Sequence, residues 1–85
     1  MEKIKSIKFL GEYNIQVVFK DEFTAEIDFS VFIDKGISLK LKEMNYFQKA
    51  YVDEYGALTW PNGYDFDPDF LRQYSIMKNI ELINH

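Results

Sequence analysis

Three carboxylates, Asp65, Asp67 and Asp69, alternate with Tyr64, Phe66, Pro68 and Phe70. Oxygen ligands at every second position are what a calcium loop offers, and paired carboxylates are what acid–base or hydrolytic chemistry uses. The calcium pattern fails on its own spacing. A helix-loop-helix calcium loop needs glycine at its sixth position and a bidentate glutamate at its twelfth, and counting from Asp65 gives Phe70 and Ile76. A structural use accounts for most of the run instead. Asp67 suits a helix N-cap, and Pro68 suits the first helical position, where a missing N–H costs nothing. Asp69 meets the positive end of the helix dipole, and Phe66 can pack on Leu71 as a hydrophobic staple. Asp65 has no place in that scheme. It is the one carboxylate of the run left for function, with Asp53 or Glu54 as companions in a remote reading as a carboxylate-based metal or hydrolytic site.

No other chemistry is spelled out. Cysteine is absent, the single histidine is the last residue, His85, and Ser6, Ser30, Ser38 and Ser75 have no histidine set in an ordered core to activate them. Gly11, Gly36, Gly56 and Gly63 are spread as turn or cap residues rather than gathered into a phosphate loop. The expectation is a protein without catalytic residues, metal or cofactor.

The elements that must position these residues follow from periodicity. From Ile7 to Phe29 the pattern has a period of two, with Ile7, Phe9, Ile15, Val17, Phe19, Phe23, Ala25, Ile27 and Phe29 on one face. Lys8, Gln16, Lys20, Thr24, Glu26 and Asp28 take the other. The spacing predicts three antiparallel strands, turning at Gly11 to Asn14 and at Asp21-Glu22. Ser30 is placed to cap a short helical turn from Val31 to Asp34, which Gly36 ends, so that Phe32 and Ile33 press back on the sheet. A loop from Leu39 then enters a helix of about two turns over Glu43 to Lys49, with Phe47 as its core anchor. A second hairpin, Tyr51 to Asp53 and Ala57 to Trp60, turns at Glu54-Tyr55-Gly56 and directs Val52, Leu58 and Trp60 inward. Pro61-Asn62-Gly63 forms a further turn, and Asp67-Pro68 opens the C-terminal helix. The fold class is α+β: a three-stranded antiparallel meander, short helices, a second β-hairpin and a C-terminal helix.

Composition fixes the class of molecule. Eighty-five residues make one small domain, and with no cysteine its stability must come from apolar packing. Aromatic residues supply it, at 18% of the chain, since each buries roughly 150 to 250 Å². The net charge of -4 is opposite to a nucleic-acid footprint, so direct nucleic-acid binding is not expected. Lys3, Lys5 and Lys8 read as guards on an edge strand. No signal-peptide pattern heads the sequence and no apolar run approaches the ~20 residues of a membrane span, which makes the cytoplasm the expected location.

The meander beginning near Ile4, Phe29-Ser30, Tyr46-Phe47, Val52-Asp53-Glu54 and above all Trp60-Pro61-Asn62-Gly63 with Asp65, Asp67-Pro68 and Leu71 resemble the bacterial domain-of-unknown-function 2442 family. The resemblance covers about residues 3 to 74. It implies a small α+β domain that occurs alone or joined to a helix-turn-helix DNA-binding domain. Solitary members resemble one half of a two-gene, toxin–antitoxin-type pair, beside a small protein of the domain-of-unknown-function 4160 family. The chain departs from the pattern at Asp21-Glu22, where Asp-Gly is common, and at Glu43-Met44, where an Asp-Pro commonly opens the middle helix. A DNA-binding extension is not expected within these 85 residues. Residues 75–85 are a C-terminal helical extension outside the resemblance, with Ile76, Met77, Ile80 and Ile83 at helical spacing. That stripe covers the chain's own sheet or meets another chain.

These readings converge on protein binding. The expected role is the antitoxin-like or accessory member of a two-protein unit, engaging a small protein encoded by a neighbouring gene, with Tyr64, Asp65, Phe66, Ile80 and Ile83 as the contact candidates. Trp60 is assigned to the core. The alternative is a homodimer of purely structural character. If Asp67 is a cap and not a ligand, Asp67→Ala should lower stability by about 1 kcal/mol, and thermal melts with and without divalent cations should show the same loss.

Overall fold

The period-two segment forms an antiparallel sheet of β1 (Ile4–Gly11), β2 (Asn14–Phe19) and β3 (Thr24–Asp28), in the order β1-β2-β3. The structure is a computed structural model that describes residues 2–33 and 36–83, and of Ile37 and residues 79–83 the backbone only. Register places like with like: Ile7 pairs with Val17, Phe9 with Ile15, Ile15 with Ile27 and Val17 with Ala25. Ile15, Val17, Phe19, Ile27 and Phe29 are buried, while Lys8, Thr24, Glu26 and Asp28 stay exposed, so the sheet is wet on one side as its alternation requires. Ile4 joins the inner face although its parity is wrong. A bulge at Lys5, between the Ile4–Phe19 and Ser6–Val18 pairs, inserts one residue and turns Ile4 inward.

The apolar face is covered by the second half of the chain. Phe29–Phe32 forms a 3-10 turn capped by Asp28, whose carboxylate accepts the Ser30 N–H at 3.0 Å. The expected cap, Ser30, is therefore inside the turn, because the strand ends two residues earlier than a Ser30 cap requires. Ile33 is buried and Phe32 packs against the core as expected, while Asp34 lies outside the described residues. Gly36 does take positive φ, but it begins a 3-10 stretch, Gly36–Lys42, rather than ending a turn. The middle helix α1 is a single turn, Met44–Phe47, not two. Glu43 at its cap makes no side-chain hydrogen bond to the free amides, so nothing holds a longer start. Phe47 is fully buried and anchors it.

A second sheet, β4 (Tyr51–Val52), β5 (Leu58–Thr59) and β6 (Asp65–Phe66), contains the expected hairpin as β4 and β5 and adds β6 as a third strand. The Pro61-Asn62-Gly63 turn returns the chain far enough for Phe66 to pair with Leu58 and Asp65 with Thr59. Two residues leave no period to read, which is why β6 has no signature of its own. Helix α2 (Pro68–Ile83) then runs without a break. Asp67 caps it, accepting the Asp69 N–H, and Asp69 in turn accepts the Glu2 N–H at 2.9 Å, tying the N-terminal segment to the first helical turn.

Trp60 holds the two halves together. Its ring meets Phe29, Phe47, Tyr64 and Phe66 at centroid distances of 6.4, 5.6, 6.3 and 5.9 Å, and its indole N–H donates to the Phe47 carbonyl at 2.9 Å. The sheets meet where the Ile4 N–H donates to the Gly56 carbonyl. A Cβ at Gly56 would lie 2.7 Å from that of Lys3, so close approach as well as positive φ demands glycine there.

Three connections share one construction. In residues 19–23, 53–57 and 60–64 the first and last residues are joined by N–H to carbonyl bonds, Phe19 to Phe23, Asp53 to Ala57 and Trp60 to Tyr64, and the fourth residue donates back to the first. That fourth residue has positive φ in each: Glu22 (77°), Gly56 (80°) and Gly63 (90°). Glu22 alone adopts it with a side chain, the turn that the sequence left open. Glu22→Gly and Glu22→Ala both remove the ion pair to Lys5, so their difference isolates the backbone. Denaturant midpoints should place the glycine variant about 1 kcal/mol above the alanine variant, with an unchanged m-value.

Candidate functional site

The phase of α2 decides which residues it offers to a partner. Leu71 is fully buried and Ser75, one turn on, is also buried, its hydroxyl donating to the Leu71 carbonyl at 2.8 Å. With that face inward, Phe70, Ile76 and Met77 point outward, Phe70 at 46% and Met77 at 64% exposure. For Ile76 and Met77 the expectation that the stripe covers the chain's own sheet is therefore corrected. The four-residue step from Leu71 lands on Ser75, not on the isoleucine that follows it.

Phe70 does not stand alone. Its ring stacks on Tyr74 at 6.2 Å and meets Phe32 edge-on at 5.6 Å, while Phe32 also meets Tyr74 at 5.1 Å. Val31, on the turn that carries Phe32, is 59% exposed. Phe70 thus belongs to an aromatic cluster that is continuous with the core through Phe66, with exposed Val31 next to Phe32 in the chain and exposed Met77 one turn beyond Tyr74 on α2. None of the three is identifiable from sequence as exposed, since each is apolar and adjacent to core positions; the phase set by Leu71 is the only signal that could have singled out Phe70 and Met77.

The residues singled out by sequence fall in different places. Tyr64 is half-buried, with its ring against Trp60 and edge-on to Phe66 at 5.3 Å. Phe66 is 7% exposed and belongs to the core, so its ring is not on an accessible surface. Asp65 is exposed on β6 and lines a shallow groove with Tyr55, Ala57, Asp67, Pro68 and Asp69. Its carboxylate makes no hydrogen bond or ion pair among the described residues. The side chains of Ile80 and Ile83 lie outside the described residues. Tyr64, Asp65 and Phe66 are thus neighbours on the Trp60 side of the molecule, and Phe66 reaches the cluster of Phe70 and Tyr74 through Phe32.

Two carboxylates have strongly defined surroundings, and neither is Asp65. Asp53 accepts the Ala57 N–H at 3.0 Å, the Tyr55 N–H at 2.9 Å and the Thr59 hydroxyl at 3.1 Å. The Ala57 bond, aided by those from Tyr55 and Thr59 against partial burial, lowers its pKa below the ordinary aspartate value. Asp21 is lowered as well, first by the Phe23 N–H and then by Arg72. Arg72 Nη1 donates to both Asp21 oxygens at 2.9 Å and to Glu2 at 3.0 Å, while its guanidinium lies 4.2 Å from the centre of the Phe23 ring. One side chain thus clasps the N-terminal segment, the β2–β3 loop and α2, a role with no sequence signature because its partners are 51 and 70 residues away. Both shifts run downward, which suits acceptors that hold backbone amides and opposes proton donation near neutral pH. Among the described residues no three or more of His, Cys, Asp and Glu gather as a metal ion requires, and no helix is long and apolar enough to cross a membrane.

With the Trp60 turn, the Asp67 cap and the buried Leu71 in place, the motif that carried the resemblance is seen as a single packed unit. A family model described as "Protein of unknown function (DUF2442)" matches residues 4–76. The chain belongs to this family. The match takes in both sheets and the first half of α2, ending at Ile76. Comparison with curated proteins and with solved structures gives no match. DUF2442 membership therefore establishes kinship, and the α+β fold is described by the chain's own structure.

The Asp53 bonds generate a prediction with a definite pH sign. Asp53→Ala should destabilise the protein by roughly 1 to 3 kcal/mol at neutral pH, as for hydrogen bonds to a charged group. Because the folded pKa lies below the unfolded one, the wild-type advantage is complete above the ordinary aspartate value of about 3.9 and fades as pH falls through the lowered folded value. Urea unfolding of both proteins from neutral to acid pH should show the two stabilities converging there.

Proposed function

We propose that the chain is a small protein-binding domain that works without making or breaking bonds, as the antitoxin-like or accessory member of a bacterial two-protein unit. The observation that carries this reading is the outward apolar group of Val31, Phe70 and Met77 around the Phe32–Phe70–Tyr74 cluster. Contiguous exposed apolar side chains on a small domain mark interaction sites, and aromatic side chains dominate their energetics. Membership of a family of unknown function names neither an activity nor a partner. The two-protein arrangement comes from what the family resemblance implies. Exposed Asp65 and half-buried Tyr64 form a separate region, available to the same partner at its rim.

The reading is tested by co-expressing the chain with the product of its neighbouring gene and measuring the light-scattering mass of the purified material. A stable mass above the 10.1 kDa of the chain, containing both proteins, is the expected result. Phe70→Ser with Met77→Ser should then weaken the complex at least as much as a typical hot-spot loss, about 2 kcal/mol, while the isolated chain stays folded with a modestly lower melting temperature, since Met77 is exposed and Phe70 gives up its contacts with Phe32 and Tyr74. A mass of the chain alone would remove the two-protein reading, and a doubled mass lost in the same variant would replace it with a homodimer.

A further inference from the structure

The free edge of the first sheet is β3, and its backbone is turned outward in a defined pattern. Phe19 bonds to Phe23 and Phe29 to Tyr13 across the ladder, so the hydrogen-bonded pairs between them are Val17–Ala25 and Ile15–Ile27. The N–H and C=O groups of Thr24, Glu26 and Asp28 consequently point away from β2. They face a groove of about 470 Å³ that runs along residues 23–28 and is walled on its far side by Tyr74, Ser75 and Lys78 of α2. Ser75 puts only a small side chain on this wall, and Tyr74 joins the groove to the exposed aromatic cluster described above.

We infer that this edge receives an extended strand of a partner protein, added antiparallel to β3, with Lys or Arg at every second position facing Glu26 and Asp28 and small or apolar residues facing Tyr74 and Ser75. The inference rests on the protein-binding reading and adds to it the surface and the chemistry of the partner. Strand addition of this kind takes its affinity from main-chain bonds and its specificity from alternate side chains. The five residues of β3 provide for a strand of about 17 Å. Charge selects the occupant. Thr24, Glu26 and Asp28 are exposed, and Glu26 makes no ion pair among the described residues. A second copy paired on a two-fold axis at the centre of β3 would set Glu26 against Glu26, a repulsive pair. On the opposite edge the start of β1 is already engaged, because the Ile4 N–H is bonded to Gly56 and Lys3 is packed against it.

The test uses the full chain, isotopically labelled, and the synthetic peptide acetyl-Lys-Val-Lys-Val-Lys-Val-Lys-amide, followed by amide resonances. Saturable shifts at Thr24, Glu26 and Asp28, weakened by salt and absent with the peptide in which Glu replaces every Lys, are expected. Glu26→Pro removes one outward N–H and leaves the bonds to β2 in place, as proline on an edge strand allows; it should abolish those shifts. Glu26→Lys keeps every backbone group and should weaken binding roughly tenfold. No shifts up to millimolar peptide, or shifts confined to Phe70 and Met77, would overturn the inference. So would shifts at the same amides on concentrating the protein alone with a doubled mass, which would assign the edge to a second copy. A co-purified complex that survives both variants would overturn the edge assignment and leave the protein-binding reading standing. A missing complex would remove that reading, and the peptide titration would still decide the edge.

Discussion

The Trp60 indole must be dry on both faces and paired at its nitrogen, and most of the fold can be understood as the means of meeting that demand. A buried indole N–H without an acceptor is costly, so the single turn of α1 matters chiefly for bringing the Phe47 carbonyl to 2.9 Å. Phe29 arrives from the end of the meander, Phe66 from β6 and Phe47 from α1, each at an edge-on or tilted angle to the ring. These are the geometries that aromatic quadrupoles favour. Beyond the indole, the two halves meet where Phe29 packs edge-on against Phe66 at 5.0 Å and at the seam of Ile4 and Gly56.

A domain of this size has few ways to hold short elements in register. The second sheet has strands of two residues each, too short to specify their own pairing. Their register is imposed by three-residue loops that end in a left-handed residue and are held by side-chain acceptors: Asp53 for the Tyr55 and Ala57 amides, Asn62 for Tyr64. The same device closes the β2–β3 connection, where Asp21 accepts from Phe23. There a glutamate occupies the left-handed position, and its ion pair with Lys5 together with the Arg72 clasp on Asp21 draws the loop onto the rest of the molecule. Surface ion pairs contribute little singly, but Arg72 is largely buried and joins three segments, so its effect is one of geometry more than of charge.

The carboxylates that attract notice first in the sequence and those that the fold surrounds most closely are different residues. Asp67 and Asp69 serve the helix start and the N-terminal segment, Asp53 and Asp21 serve loops, and Asp65 is left in solvent. The accessible chemistry of the molecule is instead apolar and main-chain: an aromatic cluster on one flank of α2 and an acidic strand edge on the other, with Tyr74 common to both. Such surfaces suit recognition of another polypeptide, where packing and ladder hydrogen bonds do the selecting.

The sequence by itself determined the features that depend on neighbours within a few positions. The alternation from Ile7 to Phe29 gave the meander and its inner face, the Asp67-Pro68 pair gave the helix start, and Gly56 and Gly63 marked loops that glycine alone closes without strain. It also placed Phe47, Leu58 and Trp60 in the core. What it could not contain were consequences of distant partners. The bulge that turns Ile4 inward is set by pairing across the sheet, β6 exists because the Pro61 turn returns to β5, and Asp28 displaces Ser30 as a cap because the strand's length is fixed by its ladder. The candidate surface belongs to this second group. Phe66 and Phe70 are the same residue type four positions apart, one buried and one exposed: pairing of β6 with β5 turns Phe66 inward and the helix phase locked by Leu71 turns Phe70 outward, because burial is a property of what the chain packs against and not of the residue alone.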